Sequence, residues 1–513
     1  MLSRDMRRRS IGLCFSLLLA CGGGSGHRDS AAFPALPAPD DGSPVAERLG
    51  VSMGVAWGAD PDAVASRVAA FAKLHELGIH RVRTDFTWHS IEREKGVFDY
   101  SALDAMVDDA SHAGIELLAI ADYSNPLYPT TAGNLPGTGL PGDVPGADLY
   151  PPTDPAPFAE YVRRSAERYG ARVAEWEIWN EENIGYRFWR PWANAGDYAR
   201  LARAAATAGR SACSSCTFVL GGMSMPQPIP KINAYPPGPV YLPLVLDAAP
   251  DLADWVDAVA FHPYQYPKDA PEFETAPFPD RVEGSLATQH ATLARILLDA
   301  GLPRPLWITE NGWPTNPGVP QSDDDFARIF GLDPALVSLG RLLLGAGDFG
   351  KVVETLRGVD EAAQARYTVR AILIAAALGV PRTFIYTLED GTFEPDIDQE
   401  SVFGVYRADG SPKPAVAALA ALTSILGPLR FAGDASAALG LADPDRALAF
   451  GDGTATVLAL WRWTDGSSTL HLAALPGDAE LLDQQGTSLA HATRGNAIDV
   501  SLGPDVVYLR IAG

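Results

Sequence analysis

The chain has 513 residues, of which 47% are hydrophobic and 20% are charged, and its formal net charge is −23. The composition excludes a disordered chain, and the length exceeds that of one ordinary compact domain, so a large globular domain with a smaller one is predicted. The negative charge argues against a nucleic-acid partner and favours a neutral ligand such as a glycan.

Residues 1–20 are predicted to be an export signal rather than part of the fold. Arginines precede the apolar core Ile11–Leu19, which is too short for a membrane span. The sequence Leu18-Leu19-Ala20-Cys21 resembles the lipobox of bacterial lipoprotein signals, in which the cysteine is lipidated. An ordinary cleaved signal is the alternative. Residues 21–46 predict a flexible tether, so the expected location is the bacterial cell envelope, with Cys21 carrying the lipid anchor.

Strand-like and helix-like segments alternate between residues 47 and 426. Eight segments predict buried strands: Val51–Ala56, Ile79–Phe86, Ile115–Asp122, Val173–Asn180, Phe218–Gly222, Val256–His262, Pro305–Glu310 and Arg382–Leu388. Other segments predict helices, among them Asp62–Leu77, Ser101–Ala113, Pro157–Tyr169, Ala195–Ala212, Gly284–Ala300, Glu361–Ala377 and Pro414–Ser424. Eight strands that are each followed by a helix predict an α/β fold, a (β/α)8 TIM barrel, rather than an open sheet.

Long connections follow the third, fifth and seventh strands: Ser124–Ala156, Met223–Pro239 and Pro314–Leu356, the last with room for an extra helix. They belong to the C-terminal face of a barrel, where active sites are built. Residues 427–513 change to alternating runs, such as Ala455–Trp463, between turn sequences. This pattern predicts a small antiparallel β-sandwich domain. Its predicted role is packing on the barrel, and glycan binding is the alternative.

Cys213 and Cys216 form a C-S-S-C sequence after a predicted helix. In an exported protein the compartment is oxidising, which favours a small structural disulfide; two idle thiols are the alternative. A redox role would need a thioredoxin-like context, and a zinc site would need further ligands. Neither a metal nor a cofactor is predicted.

Two glutamates stand at the ends of two predicted strands. Glu181 lies in W-E-I-W-N-E-E-N, residues 176–183, and Glu310 lies in P-L-W-I-T-E-N-G-W, residues 305–313. On the fourth and seventh strands of a barrel the two carboxylates would face each other across the barrel end. A retaining glycosidase needs such a pair ~5–5.5 Å apart, one as acid/base and one as nucleophile. Glu177, deeper in the fourth strand, is predicted to be a hydrogen-bonded barrel residue.

Both motifs resemble those of clan A, the four/seven superfamily of retaining glycoside hydrolases. Val82–Trp88 and the residues up to Tyr100 are also similar to bacterial members around families 39 and 5. The resemblance covers about residues 54–426. It implies an O-glycosyl hydrolase that cleaves a poly- or oligosaccharide, with Glu181 as acid/base and Glu310 as nucleophile. It assigns neither the sugar nor the linkage, and the oligomeric state stays open.

The same resemblance implies a substrate-binding set around the two glutamates: Asn180, Arg83, His262, Tyr264, Trp313, Asp122, Asn125, Tyr386 and Glu389. Within this set, Asn180 would contact the sugar 2-hydroxyl, Arg83 would keep the nucleophile ionised, and Tyr264 would orient it.

The chain departs from the clan pattern at Glu182, where many relatives carry proline, and at Tyr386, where many carry tryptophan. Facing inward, Glu182 would raise the pKa of the acid; facing away, the preferred alternative, it would cap the loop. Arg83 could instead form a structural ion pair with Asp85, and His262 could be a core residue. The alternative functions are a non-catalytic glycan-binding lipoprotein and a transglycosylase that uses the same residues.

Overall fold

The computed structural model describes residues 36, 38, 40, 42–134, 146–225, 236–265, 269–274, 284–316, 318–330, 334–345, 349–350, 353, 356–393, 396, 398–473, 475–490, 493–494 and 497–512. The predicted export signal and Cys21 lie outside the described residues, as do most of the predicted tether and parts of the long connections. Within the described part of the chain, no helix is long and apolar enough to cross a membrane.

Eight parallel strands close into a barrel in sequence order. They are β1 Leu49–Ser52, β2 Arg81–Thr87, β3 Glu116–Asp122, β4 Glu175–Asn180, β5 Thr217–Ser224, β6 Ala258–His262, β7 Leu306–Asn311 and β8 Thr383–Tyr386. The last strand pairs with the first, so the sheet has no free edge. The predicted (β/α)8 barrel is confirmed, and each strand overlaps the segment predicted for it. The C-terminal end of the strands is called the mouth below.

The described helices are α1 Val45–Arg48, α2 Pro61–Glu76, α3 Trp88–Ile91, α4 Ser101–His112, α5 Ala156–Tyr169, α6 Ala195–Ala212, α7 Gly238–Ala248, α8 Leu286–Asp299, α9 Asp323–Phe330, α10 Pro334–Leu344, α11 Glu361–Ala377 and α12 Pro414–Leu426. Local sequence explains their ends. The Asp60 side chain accepts a hydrogen bond from the Ala63 N–H and caps α2, and Gly78, at φ +65°, turns the chain out of it.

Two regions differ in helix content from their sequence pattern. Helix α7 was not among the predicted helices because it is apolar on most faces and contains Pro243, so it lacks an amphipathic pattern. The connection after β7 was predicted to hold an extra helix and holds α9 and α10.

The barrel interior is layered. The N-terminal layer is an ion network in which Arg81 and Arg382 bind Glu175. An apolar layer follows, formed by Leu118, Val219, Ala258, Ala260, Trp307 and Phe384. The layer nearest the mouth is polar again. A buried polar layer carries a desolvation cost unless its groups pair, so this layer marks the candidate site.

The C-terminal strands form two antiparallel sheets. They are β9 Arg430–Asp434, β10 Asp445–Gly451, β11 Ala455–Arg462, β12 Ser468–Leu472, β13 Ala479–Leu482, β14 Thr493–Arg494, β15 Ala497–Leu502 and β16 Val507–Ala512. The sheet orders are β13-β16-β11-β10-β9 and β12-β15-β14. Along β11, Leu458 and Leu460 face the core between the sheets, whereas Val457 and Trp461 join the barrel core. The predicted β-sandwich is confirmed, and it packs on the barrel.

A buried polar contact also joins the sandwich to the barrel. Glu272, in the connection after β6, lies 3.1 Å from the Arg370 guanidinium and accepts a 2.8 Å hydrogen bond from Trp461 Nε1. Arg370 also donates to the Pro504 carbonyl. Elsewhere, a disulfide joins Cys213 to Cys216 directly after α6.

Candidate active site

The strands that carry the two glutamates both break the regular alternation of side chains. In a regular strand, consecutive side chains point to opposite faces. Here Asn180 and Glu181 both contact interior residues, because Trp179 and Glu181 adopt left-handed backbone conformations at φ +71° and +44°. Glu181 still donates its N–H to the Gly222 carbonyl. Left-handed non-glycine residues cost energy and cluster at functional sites.

Strand β7 achieves the same result with an irregularity. Its pairing register with β8 shifts between Ile308 and Asn311. Thr309 and Glu310 therefore both contact the interior, Thr309 at His262 and Glu310 at Tyr264. Bulges of this kind re-aim side chains next to active sites.

His262 lies between the two glutamates. Its Nδ1 atom is 3.0 Å from Glu181 Oε1 and 3.7 Å from Glu310 Oε2. These two carboxylate oxygens are therefore at most about 6.7 Å apart, the sum of the two distances. That bound excludes the separation near ~9 Å of a wide inverting site and is compatible with the ~5–5.5 Å of a retaining one. The His262 Nε2 atom is 3.0 Å from the Thr309 hydroxyl.

Glu310 is held by positively charged and hydrogen-bonding groups. Arg83 donates to Oε1 over 2.6 Å, and the Tyr264 hydroxyl donates to Oε2 over 2.9 Å. Burial alone would raise the pKa of Glu310, but the charges of His262 and Arg83 and the two hydrogen bonds outweigh it and lower the pKa. Glu310 is thereby kept ionised, as a nucleophile must be.

Glu181 has the opposite balance. Burial is the largest influence and raises the pKa of Glu181; the negative charge of Glu310 acts in the same direction, while His262 opposes both. A raised pKa favours the protonated form of a carboxyl group, which is the form that can donate a proton. Two carboxyl groups whose pKa values are pushed apart can divide the roles of acid and nucleophile.

Arg83 connects the strands beneath the glutamates. Its guanidinium binds Glu177 through two nitrogens, at 2.8 and 2.9 Å, and donates to the Ser52 hydroxyl and to Asn180 Oδ1. Its ion pairs are with Glu177 and Glu310, and Glu177 is fully buried. Glu177 is thus the hydrogen-bonded barrel residue that was predicted.

Asn180 lies between Arg83 and the mouth. Its Oδ1 accepts from Arg83, and its Nδ2 lies 3.2 Å from the Tyr123 hydroxyl. Tyr386 stands on the opposite rim, where its ring is 6.5 Å from that of Tyr264 and 5.3 Å from that of Phe403. The structure thus brings Asn180, Tyr264 and Tyr386 together with the two glutamates.

Some predicted substrate contacts lie elsewhere. Trp313 is 1% exposed and donates its indole N–H to the Asp269 carbonyl, so it has no surface to offer a sugar. Both polar atoms of Asn125 bind backbone, one at Glu92 and one at Leu127. These side chains hold loops in place rather than facing the mouth.

Glu389 and Asp122 also have surroundings other than the predicted ones. Glu389 forms an ion pair with Lys73 on the outer helix α2. Asp122 is fully buried, and burial together with Asp85 raises its pKa well above the usual value. His262 and Arg83 are buried too, and contact the glutamates instead of open space.

Glu182 faces away from the mouth, which agrees with the orientation preferred from the sequence. It was also expected there to cap the loop, which it does not. It is fully buried against Gly221 and the Tyr198 hydroxyl on α6. Neither carboxyl oxygen has a hydrogen-bond partner among the residues that the structure describes. Burial, aided by the charges of Glu177 and Glu181, raises the pKa of Glu182 to about 8. Glu182 is therefore neutral at pH 7.

Sequence reasoning missed several residues of the mouth. Thr309 could have been found, since it directly precedes Glu310 in a strand. Arg187 and Glu400 form an ion pair at the mouth but are 213 positions apart in the chain, so no local pattern connects them. In the described part of the chain no group of His, Cys, Asp and Glu side chains is arranged to hold a metal ion.

Comparison with solved structures finds the fold of this chain, with its closed parallel barrel, among glycoside hydrolases. A family 39 glycoside hydrolase from Bacteroides cellulosilyticus WH2 superposes with a TM-score of 0.63 at 22% identity, over 92% of this chain and 81% of that one. A monomeric β-xylosidase from Caulobacter crescentus CB15 gives 0.59 at 15% identity, over 94% and 98%. At such identities the likeness is one of fold.

The sequence comparisons cover a smaller part of the chain. The β-galactosidase BbgII of Bifidobacterium bifidum is 37% identical over 127 residues, which are 22% of this chain and 18% of that protein. The chain thus covers less than a fifth of that relative. No protein-family model matches the sequence. The resemblance to family 39 is therefore supported by the fold.

Proposed function

We propose that this protein is a retaining glycoside hydrolase in which Glu181 is the acid/base and Glu310 the nucleophile. The observation that carries the proposal is the shared contact with His262, which keeps the two carboxyl groups close while their surroundings shift their pKa values in opposite directions. This arrangement suits double displacement, in which one carboxyl begins protonated and the other ionised.

In the first step, a Glu310 oxygen forms a bond to the anomeric carbon while the glycosidic C–O bond breaks. Glu181 gives its proton to the departing oxygen, so the leaving group departs as a neutral alcohol. Positive charge develops on the sugar ring in the transition state. We expect Asn180, whose side-chain oxygen accepts a hydrogen bond from Arg83, to contact the 2-hydroxyl as this charge develops.

In the second step, Glu181 is ionised and takes a proton from water. The water oxygen attacks the anomeric carbon, and the bond to Glu310 breaks. The two displacements together retain the anomeric configuration. Arg83 and Tyr264 contact the Glu310 carboxylate throughout, so they stabilise it each time it is released.

The substrates proposed are β-glycosides. The support is the names of similar proteins, a β-xylosidase and a β-galactosidase. Aryl β-D-xylosides, β-D-glucosides and β-D-galactosides form the first test panel, with the product anomer followed by NMR. Retention in the first-formed product is expected, and inversion would contradict the mechanism.

Variants of the two glutamates test their roles. Glu310→Gln should abolish turnover of every active substrate. Glu181→Ala should still form the glycosyl-enzyme from a substrate with a good leaving group, and azide should then restore turnover by giving a glycosyl azide. Glu167→Gln, at an exposed position, is the control. Ordinary activity in Glu310→Gln would disprove the assignment.

We further propose that the protein is exported and tethered through Cys21. The support is the lipobox-like sequence and the disulfide between Cys213 and Cys216, which suits an oxidising compartment. Expression in a bacterial host with labelled fatty acid should label the full chain but not a Cys21→Ser variant. Equal labelling of both would contradict the anchor.

A further inference from the structure

The connections after β4 and β8 meet across the mouth. Arg187 follows β4 and Glu400 follows β8, and their side chains form an ion pair of 3.3 Å. In a closed barrel of eight strands taken in order, β4 and β8 lie on opposite sides. The ion pair therefore bridges opposite rims of the site.

Both partners of this bridge are positioned by neighbours. Asp398 accepts hydrogen bonds from the Glu400 N–H and the Ser401 hydroxyl, which fixes the turn that carries Glu400. The Arg187 guanidinium lies 4.6 Å from the centre of the Phe188 ring. Phe188 stacks on Tyr123, whose hydroxyl contacts Asn180. Arg187 is thus linked through packed rings to the candidate site.

Tyr186 precedes Arg187 in the same connection. Tyr186 is 43% exposed, so its ring is accessible. The connection stays close to Glu181, because the Ile184 N–H donates to the Glu181 carbonyl and the Arg187 N–H donates to the Ile184 carbonyl. Burial, with smaller contributions from the charges of Glu181 and Glu400, raises the pKa of Tyr186 to about 12 against the opposing charge of Arg187. An accessible aromatic ring beside an acid is a surface on which a sugar can stack.

The proposed chemistry determines which side of the scissile glycosidic bond these residues contact. An acid/base residue protonates the oxygen of the leaving group, so accessible groups beside Glu181 face the leaving group. We propose that Tyr186 and the Arg187–Glu400 ion pair form a leaving-group subsite that binds an uncharged sugar. This inference rests on the proposed hydrolase function and names the class of leaving group.

The ion pair supports an uncharged sugar rather than a uronic acid. Arg187 donates hydrogen bonds and Glu400 accepts them, so together they match neighbouring hydroxyl groups, which can do both. A sugar carboxylate that approached Arg187 would also meet the like charge of Glu400. Like-charge contacts of this kind suppress binding.

Matched substrates with one glycone and two leaving groups test the subsite. The pairs are β-D-xylopyranosyl fluoride with xylobiose, β-D-glucopyranosyl fluoride with cellobiose, and β-D-galactopyranosyl fluoride with lactose. Fluoride is too small to occupy a sugar subsite, so its release reports on the catalytic residues alone. Turnover of no fluoride would overturn the proposed function and the subsite with it.

For the glycone that is turned over, Tyr186→Ala should lower kcat/KM for the disaccharide about tenfold more than for the fluoride. Tyr186→Phe keeps the ring, so its ratio of kcat/KM for the disaccharide to kcat/KM for the fluoride should be close to that of the wild type. Trp192→Ala is the matched control, because Trp192 is an aromatic residue of the same connection with 77% exposure. The subsite would be overturned if Tyr186→Ala lowered kcat/KM equally for both substrates or for neither. The same change in Trp192→Ala would also overturn it.

A charged leaving group tests the role of the ion pair. The wild-type protein should cleave the disaccharide several-fold faster than the analogue whose reducing-end sugar is a uronic acid. Glu400→Gln removes one negative charge and should narrow that ratio. A wild-type preference for the uronic acid, or a ratio that Glu400→Gln leaves unchanged, would overturn the assignment of an uncharged sugar.

Discussion

His262 Nδ1 lies 3.0 Å from Glu181 Oε1 in a fully buried position, and its other ring nitrogen contacts Thr309. The histidine was expected to bind substrate, but it instead couples the two carboxyl groups. Because it lowers the pKa of Glu181 and of Glu310 alike, we expect it to influence the pH range of the proposed activity.

Replacement of His262 should move that range upward. In the profile of kcat/KM against pH, the ascending limb reports ionisation of Glu310 and the descending limb reports loss of the Glu181 proton. Without His262 both pKa values rise, so both limbs of His262→Asn should shift to higher pH, with kcat reduced about tenfold or more. Thr309→Val, which removes the hydroxyl contacts to His262 Nε2 and Glu177 Oε1 but keeps the imidazole, should shift them less. If the two limbs of the His262→Asn profile stayed at the same pH or moved to lower pH, His262 would not lower the two pKa values.

Arg83→Lys should impair both catalysis and folding. Lysine cannot bind Glu177, Asn180 and Glu310 together. The pKa of Glu310 should rise, moving the ascending limb to higher pH, and kcat should fall about a hundredfold. Unpaired buried acceptors should lower the free energy of unfolding by roughly 1–3 kcal/mol. Arg81→Lys, on the same strand but in the N-terminal layer, controls for the loss of an arginine and should leave the limb in place.

Glu182→Gln should change how stability depends on pH. In the folded protein the pKa of Glu182 is about 8, against 4.5 for the ordinary group. The folded state keeps a proton that the unfolded chain releases, so the wild type loses stability relative to the variant as pH rises from 4.5 to 8. The slope is about 1.4 kcal/mol per pH unit at most.

Urea unfolding at pH 4, 6 and 8 measures this difference. The two proteins should differ least at pH 4, and the variant should gain steadily up to pH 8. Glu167→Gln, an exposed change of the same kind, controls for the loss of a charge. A difference between wild type and Glu182→Gln that does not vary with pH would show that Glu182 is solvated or paired.

The barrel and the sandwich should unfold together, because one apolar core includes residues of both and Glu272 ties them with a buried hydrogen bond. Calorimetry should show a single transition. Trp461→Phe removes the donor to Glu272 and should lower the free energy of unfolding by about 1–3 kcal/mol. Trp463→Phe, on the same chain segment but partly exposed, is the control. Two separate transitions would contradict the shared core.

Much of the site could be predicted because it depends on where strands end. A carboxylate at the C-terminal end of a barrel strand must lie near the mouth, and the order of the strands places β4 and β7 across that mouth from each other, with β5 and β6 between them. Arg83 lies inside β2 and Tyr264 lies just past the end of β6, and both contact Glu310.

Three predicted substrate contacts do not face the mouth. Trp313, Asn125 and Glu389 lie beyond the ends of their strands, as Tyr264 does, and there loop packing rather than strand geometry decides where a side chain points. Trp313 is buried and donates a hydrogen bond to a backbone carbonyl, and Glu389 forms an ion pair with a lysine on an outer helix. None of these partners could be read from the neighbouring sequence.

The sequence by itself determined the barrel, the β-sandwich and the two strand-ending glutamates. The reason is that hydrophobic periodicity and the order of strands and helices can be read from neighbouring residues along the chain. Only the tertiary structure decided which consecutive residues turn inward together, as at Asn180 and Glu181, and that His262 joins the two carboxyl groups. It also decided the bridge from Arg187 to Glu400. The physical reason is that these contacts join strands and loops far apart in sequence, and their geometry depends on backbone irregularities that only the closed barrel imposes.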